Sequence, residues 1–394
     1  MPKRTALLLF VVALAALAAL ALGRLADMPA QADEHHHSRQ VRAFCDGDLS
    51  LDRKITMLPG WHLLAAGVAR LTGDCSLAGM RRTNAGLGLL SGAAFLWAAL
   101  ALPARFPFLR SLQYFVCPVL FPYQFLAYTD IATLLLVLVA AGFLLRGRAA
   151  AAGLVVCASL LLRQTNVVWL LFVALSVLAE RPLPPSRVLL QRLWPCAVGL
   201  AGFAAFVLIN GGIALGDAQA HRAGLYPGNL AFTLLVAAIV FLPHNVYALW
   251  SRRGALRTWW AVAAAALLAA WFLAEFGPAH AYNRFPGFAR NALLLGAEDD
   301  VWLRAGLLLP LLVGLGSVLL TRLARPGLYA LYPAALLSLL PIKLIDQRYG
   351  FPFLALFLLF REDDPRPVEV AGLAVSGLLA AILTEALARQ AVLL

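Results

Sequence analysis

The chain has 394 residues, of which 62% are apolar and only 13% charged, and its mean hydropathy is +0.81. Soluble domains average roughly 45–50% apolar and about 25% charged residues, so a soluble fold and a disordered chain are both excluded. The net charge of +12 does not point to nucleic acid, because the basic residues are scattered between apolar runs instead of forming one water-facing patch.

A membrane helix needs about 20 apolar residues, and this length organises the chain. Lys3 and Arg4 precede an apolar run at 5–23, read as an uncleaved first span because no small-residue cleavage site follows it. Residues 24–83 are expected to form a long first external loop. Twelve further apolar runs follow, at 84–104, 111–127, 131–145, 149–162, 167–179, 194–215, 229–249, 259–276, 301–320, 327–344, 350–361 and 368–387. Several are short for a full crossing, which fits broken or protein-buried helices. The expectation is an all-α polytopic membrane protein of about thirteen helices, with residues 1–394 forming a single domain. No internal repeat is visible, which weighs against an inverted-repeat transporter.

Short loops set the sides. Arg105/Arg110, Arg146/Arg148, Arg181/Arg187/Arg192, Arg252/Arg253/Arg257, Arg322/Arg325 and Arg361/Arg366 fall in one alternate set together with Lys3/Arg4. Cytoplasmic loops carry the excess of Lys and Arg, so this set is placed inside. The outside set holds the mixed polar motifs. Cys117, Cys157 and Cys196 sit in apolar runs and read as small buried hydrophobes. Cys45 and Cys75 both fall in the first loop, where a bridge requires an oxidising compartment.

The first loop opens Asp33-Glu34-His35-His36-His37. As a helix it places His37, Val41 and Phe44 on one face. Consecutive histidines do not converge on one ion, so no metal is expected. Asp46-Gly47-Asp48 reads as a glycine turn, and Asp52-Arg53-Lys54 offers in Lys54 a point charge for a phosphate or an anionic lipid head. Arg163-Gln164-Thr165-Asn166 closes a short span, where three such polar residues are costly unless they face a polar cavity. Asn210-Gly211-Gly212 precedes Asp217 and His221, which share a face if helical. Asp346-Gln347-Arg348-Tyr349 supplies an arginine whose planar fork suits phosphate oxygens. Tyr128-Thr129-Asp130 is the faintest signal, explicable as a belt tyrosine and a helix cap.

These strings, taken in order, resemble the dolichyl-phosphate-glucose-dependent alpha-1,2-glucosyltransferase family, which adds the last glucose to the lipid-linked oligosaccharide. Asp33-Glu34-x-x-His37 with Gln40, Lys54-Ile55-Thr56-x-x-Pro59-Gly60, Phe121-Pro122 through Asp130, and Arg163 through Trp169 each look like a family string. So do Asn210-Gly211-Gly212-Ile213 with Gly216-Asp217 and His221, and Pro341-x-Lys343-Leu344 through Tyr349. The chain departs from the family at Leu51, at Ala218 and at Tyr282-Asn283-Arg284-Phe285.

The resemblance implies a GT-C type glycosyltransferase over about 30–360. Its partners would be a polyprenyl-phosphate sugar donor, a glycan or lipid-linked acceptor and the membrane lipids. It implies no cofactor and no metal. Asp33 is expected to be the catalytic base with Glu34 in reserve, because an acceptor hydroxyl needs a proton acceptor while a lipid phosphate leaves unaided. Arg348, Lys54, Arg163 and His221 are expected to hold the donor phosphate. His37, Gln164, Asn166, Asp217, Asp346, Tyr349 and Asp130 are expected to bind substrate. The site would face the periplasm from a bacterial inner membrane, as relatives' sites face the endoplasmic reticulum lumen. A transferase using another polyprenyl-phosphate sugar, or a lipid or solute transporter, stays open as an alternative.

Overall fold

In the computed structural model, described over residues 3–216, 223–285 and 287–393, the apolar first run forms helix α1 (Lys3–Leu25). The expected first loop is itself folded. It holds α2 (Glu34–Cys45) and α3 (Gly60–Thr72), and its end is already the first turns of α4 (Leu77–Ala99). Cys45 and Cys75 form a disulfide across a Cα–Cα distance of 6.6 Å, tying the end of α2 to the start of α4. Both helices are amphipathic: α2 buries Glu34, His37, Val41 and Phe44, and α3 buries Trp61, His62, Ala65 and Ala69. That spacing is the 3.6-residue stripe of a helix lying on a protein surface.

The run at 111–127 is not one span. It divides into α5 (Pro107–Phe115) and a 3-10 turn at Pro122–Phe125, because Pro118 and Pro122 cannot continue a helix. Next come α6 (Asp130–Leu145), α7 (Ala149–Leu160), α8 (Val167–Leu178) and α9 (Ser186–Asn210). The run at 229–249 is a bent pair, α10 (Gly228–Val240) and α11 (Leu242–Ser251), turning by 92° just before Pro243. The remaining helices are α12 (Trp259–Glu275), α13 (Ala289–Asp299), α14 (Val301–Leu320), α15 (Leu331–Leu339), α16 (Phe351–Phe360) and α17 (Arg366–Ala388).

Among the described residues four helices, α1, α9, α14 and α17, are long and apolar enough to cross a membrane, and the α10–α11 pair makes up to five. The chain is an all-helical integral membrane protein, and helix length and apolarity alone do not reproduce the thirteen spans expected. Several of the other expected spans are shorter helices enclosed by protein. In α16 all residues from Phe353 to Phe360 are buried, and α6 buries most of its length. A continuous apolar run of ten to sixteen residues reads alike whether lipid or protein surrounds it. Lipid tails are as apolar as leucine, so such helices gain from close packing and from polar anchors at their ends.

α6 and α16 both connect the two ends of the molecule. Asp130 and Arg348 lie at their starts, and at their far ends Leu145 accepts from Arg325 and Arg361 joins a second charge cluster. The motifs of Asp130 and Arg348, placed outside, and the basic residues Arg325 and Arg361, placed inside, therefore lie at opposite ends.

Candidate active site

A cavity of about 560 Å³ opens among the polar motifs. Asp33, His36, His37, Lys54, Arg163, Gln164, Arg290, Lys343, Arg348 and Tyr349 contribute to its wall. Segments far apart in sequence build it, among them the start of α2, the 54–57 stretch, the turn before α8, the start of α13 and the stretch through the 3-10 turn Gln347–Gly350 before α16.

Asp33 stands at the N-cap of α2, a position where a carboxylate ordinarily accepts from its own helix. Its side chain makes no such bond. It pairs instead with Arg348 Nη1 at 2.8 Å, and the Asp33 side chain keeps 47% of its surface open. Burial works against the charged form, but the Arg348 guanidinium outweighs it and holds the Asp33 carboxyl below the usual carboxylate range.

Glu34, one residue on, points the other way and is not among the cavity's wall residues. It is fully buried and accepts from Arg81 Nε and Nη2 at 3.0 and 2.6 Å, from the Gln31 amide at 2.8 Å and from the Ala127 amide at 2.6 Å. Arg81 also donates to the carbonyls of Leu25, Ala26, Met28 and Pro29. Glu34 thus fastens α2 to α4 and to the end of α1, and its acceptor positions are filled.

Arg348 is the hub. Nε and Nη2 donate to Asp346 at 3.1 and 2.9 Å, Asp130 lies 4.0 Å from Nη1, and the guanidinium sits 5.0 Å from the centre of the Tyr128 ring. Asp346 is fully buried and also caps its own turn by accepting from the Arg348 amide. Asp130 pairs with Arg163 at 2.7 Å. The stretch carrying Asp346 is held by asparagines: Asn229 donates to Ile342 and Leu344 and accepts from the Asp346 amide, while Asn283 brackets Ile345. Asn283 of the Tyr282–Phe285 string is therefore a backbone anchor, and Arg284 pairs away from the cavity with Glu298.

His37 lines the cavity and stacks edge-on against Trp61 and Tyr128. Its Nδ1 lies 3.0 Å from Nε2 of the buried His62. Burial pushes the His37 pKa down to about 4, so the ring is neutral at pH 7. Gln164 ties the rim together, donating to Thr56 and Ile213 and accepting from the Leu58 amide. Asn166 donates to Ser159 and lines a smaller side pocket beside Asp130 and Trp169. Lys54 Nζ reaches Tyr282 Oη at 3.5 Å. Gly216 approaches the carbonyls of Arg53 and Ile55 so closely that a β-carbon there would overlap both. Asp217 and His221 lie outside the described residues. The Asp46-Gly47-Asp48 string is a turn with Gly47 at φ +89°, and Asp48 accepts from the Ser50 amide.

Asp33, His37, Lys54, Arg163, Gln164, Arg348 and Tyr349 are thus gathered on one cavity, with Asp130 and Asp346 behind its arginines. The reading of the sequence missed His62 and Arg290. His62 follows Trp61 in an unremarkable helix. Arg290 stands in Phe288-Ala289-Arg290-Asn291, a string with no unusual composition.

Residues of this kind at one end of a buried helical bundle define a multi-pass membrane protein with an anion-ready, carboxylate-edged pocket. Comparison with known proteins is more specific. The DIE2/ALG10 family model matches residues 29–184 and 181–361, and the chain belongs to this family. The Dol-P-Glc:Glc(2)Man(9)GlcNAc(2)-PP-Dol alpha-1,2-glucosyltransferase of Mus musculus is 28% identical over 273 residues, 54% of this chain and 57% of that protein. The enzyme of the same name from Homo sapiens is 26% identical over 272 residues, again 54% and 57%. That of Candida albicans is 27% identical over 236 residues, 49% and 52%. The chain spans about half the length of the curated relatives it matches. Among solved structures, ArnT from Cupriavidus metallidurans bound to undecaprenyl phosphate is similar at 15% identity and a TM-score of 0.41, over 98% of this chain and 78% of that one.

Proposed function

We propose that this chain is an inverting glycosyltransferase of GT-C type. It transfers a hexose, glucose, from a polyprenyl-phosphate sugar to a hydroxyl of a glycan or lipid-linked oligosaccharide, forming an alpha-1,2 linkage. Family membership supports the donor class and the linkage. The observation that carries the reading is the Asp33–Arg348 pair at the cavity wall, a carboxylate and a phosphate-suited arginine 2.8 Å apart.

In this reaction the acceptor hydroxyl attacks the anomeric carbon as the bond to the lipid phosphate breaks. Asp33 takes the hydroxyl proton, and Glu34 is too fully bonded to serve in its place. The lipid phosphate leaves as a stable anion without a general acid. Arg348, Arg163 and Lys54 hold its charge, with His221 as a further donor, and fixed donors of this kind are most effective where water is excluded. Asp346 and Asp130 orient the arginines. His37, Gln164, Asn166, Asp217 and Tyr349 shape the sugar and acceptor sites. An incoming phosphate competes for Arg348 Nη1 and releases Asp33 to act as base.

The site faces the outer, oxidising side of the membrane, the periplasm in a bacterial host. The Cys45–Cys75 bridge and the gathering of basic loops at the far end support this side. The test is transfer by the purified protein in lipid, with synthetic polyprenyl-phosphate glucose against its mannose analogue. Transfer of glucose supports the reading. Preference for mannose redirects the donor, and transfer from neither overturns the proposal.

A further inference from the structure

Arg290 is the second residue of α13, on the cavity wall, with 8% of its side chain exposed. The first turn of a helix is electropositive and disfavours a cation. The position is nevertheless rigid, because Ala289 donates to the Leu393 carbonyl and the guanidinium lies 4.5 Å over the Phe288 ring. Among the described residues its one ion-pair partner is Asp346, at 3.4 Å from Nη2. Both oxygens of that carboxylate are already engaged by Arg348, at 3.1 and 2.9 Å. Nε and Nη1 of Arg290 are buried with no hydrogen-bond partner among the described residues.

An arginine in this state is costly. Buried guanidinium donors almost always find acceptors, and a charge left part-paired is destabilising unless a ligand completes it. Its neighbours on the wall, Lys54, Arg163, Lys343 and Arg348, make the cavity attractive to an anion. We infer that Arg290 is a second arm for the phosphoryl group of the lipid-linked donor, facing Arg348 across Asp346. Among the described residues Arg348 meets three carboxylates and Arg290 one, and Nε and Nη1 of Arg290 are unengaged, so Arg290 has donors to give at no loss of an existing bond. Binding of the phosphate pairs the orphaned donors, so Arg290 contributes to affinity for the charged head and not for the lipid tail.

This inference rests on the glycosyltransferase reading, and the experiment separates the two. Binding of undecaprenyl phosphate and of uncharged undecaprenol to the full chain in detergent is measured for the wild type, Arg290→Gln, Arg290→Lys and Arg348→Gln. Arg290→Gln should weaken undecaprenyl phosphate by about tenfold to a hundredfold, as for loss of charge-assisted bonds. Undecaprenol binding should not change. Arg290→Lys should recover part of the loss, which a merely structural arginine would not show. If Arg290→Gln binds undecaprenyl phosphate as the wild type does while Arg348→Gln fails, Arg290 is not a phosphate arm and the glycosyltransferase reading stands. If the wild type does not distinguish undecaprenyl phosphate from undecaprenol, both fall. If Arg290→Gln does not fold, Arg290→Lys decides: unchanged phosphate affinity overturns the role, because a lysine cannot reproduce the fork.

Discussion

Two charge clusters sit at opposite ends of the bundle, and they are built differently. At the basic-loop end, Arg361 donates to Asp364 and to both oxygens of Glu369, Arg110 pairs with Asp363, and His244 joins Asp364 to Thr321. Two arginines there meet three carboxylates in a nearly closed mesh that pins α5, α11, α14 and α17 around the end of α16, and only the Nε of each arginine lacks a partner among the described residues. At the cavity end, among the described residues, Lys54, Arg163, Arg290, Lys343 and Arg348 meet Asp33, Asp130 and Asp346. Here the balance is positive, one carboxylate is half exposed, and one arginine, Arg290, lacks partners on two of its three nitrogens among the described residues. A buried ionic mesh with its acceptors filled holds helices together. One with surplus cations and an open face suits the anionic donor of the proposed reaction.

The comparison is broken most severely by disabling the open cluster. Asp33→Asn keeps the size and hydrogen-bonding shape of the side chain but removes its basicity. Turnover should fall by roughly 10²–10⁴ with donor affinity retained and thermal stability unchanged. Full activity in Asp33→Asn would place the base elsewhere.

In the closed cluster the converse is expected. Glu369→Gln leaves Arg361 and Arg110 short of a counter-charge, and breaking a buried pair costs about 3–5 kcal/mol. The melting temperature in detergent should drop while turnover per folded molecule is maintained. A fall in turnover without a fall in stability would show the two ends to be functionally alike.

Acid titration sharpens the contrast within the site. The folded pKa of His37 is about 4, below the ordinary 6.5, and burial lowers that of His62 as well. A depressed histidine is neutral when folded and takes up a proton on unfolding. Its stabilisation is complete above pH 6.5 and is lost as pH falls toward 4, by roughly 3 kcal/mol for His37. Asp33 stays ionised through this window because its own pKa is lowered. Thermal stability should therefore fall between pH 6.5 and 4, and His37→Gln should flatten that curve. An equally steep curve in His37→Gln would remove the ring from the account.

The smallest effect is expected at the rim. In Gly216→Ala the new methyl group meets the Arg53 and Ile55 carbonyls, so the segment carrying Lys54 must shift. Donor affinity should weaken severalfold, by about 1 kcal/mol. Unchanged affinity would show that this segment does not set the donor site.

The cavity's acid and its chief arginine were legible because Asp33 and Arg348 each stand in a polar string at the edge of an apolar run, where ionisable groups are costly. What the strings do not reveal is direction. Asp33 and Glu34 look equivalent in sequence, and only the position of Arg81 forty-seven residues later separates them. Arg290 was illegible for the same reason, since its unmet donors depend on Arg348 having already taken both oxygens of Asp346. The number of spans is not legible from apolarity alone, which does not distinguish a helix facing lipid from one such as α16, enclosed by protein.

Glu34 holds the backbone at the start of α2 to α4 through Arg81, while Asp33 next to it has only its own side-chain torsions free to move. In the proposed reaction, exchanging Arg348 for the acceptor hydroxyl therefore calls for a rotamer change on a fixed backbone. Side-chain flips at partly exposed positions take picoseconds to nanoseconds, whereas hinged domains and lids move in microseconds to milliseconds. On that proposal the arming of Asp33 is kinetically invisible, and the pace of each proposed cycle falls to bond-making or to the departure of the spent lipid carrier.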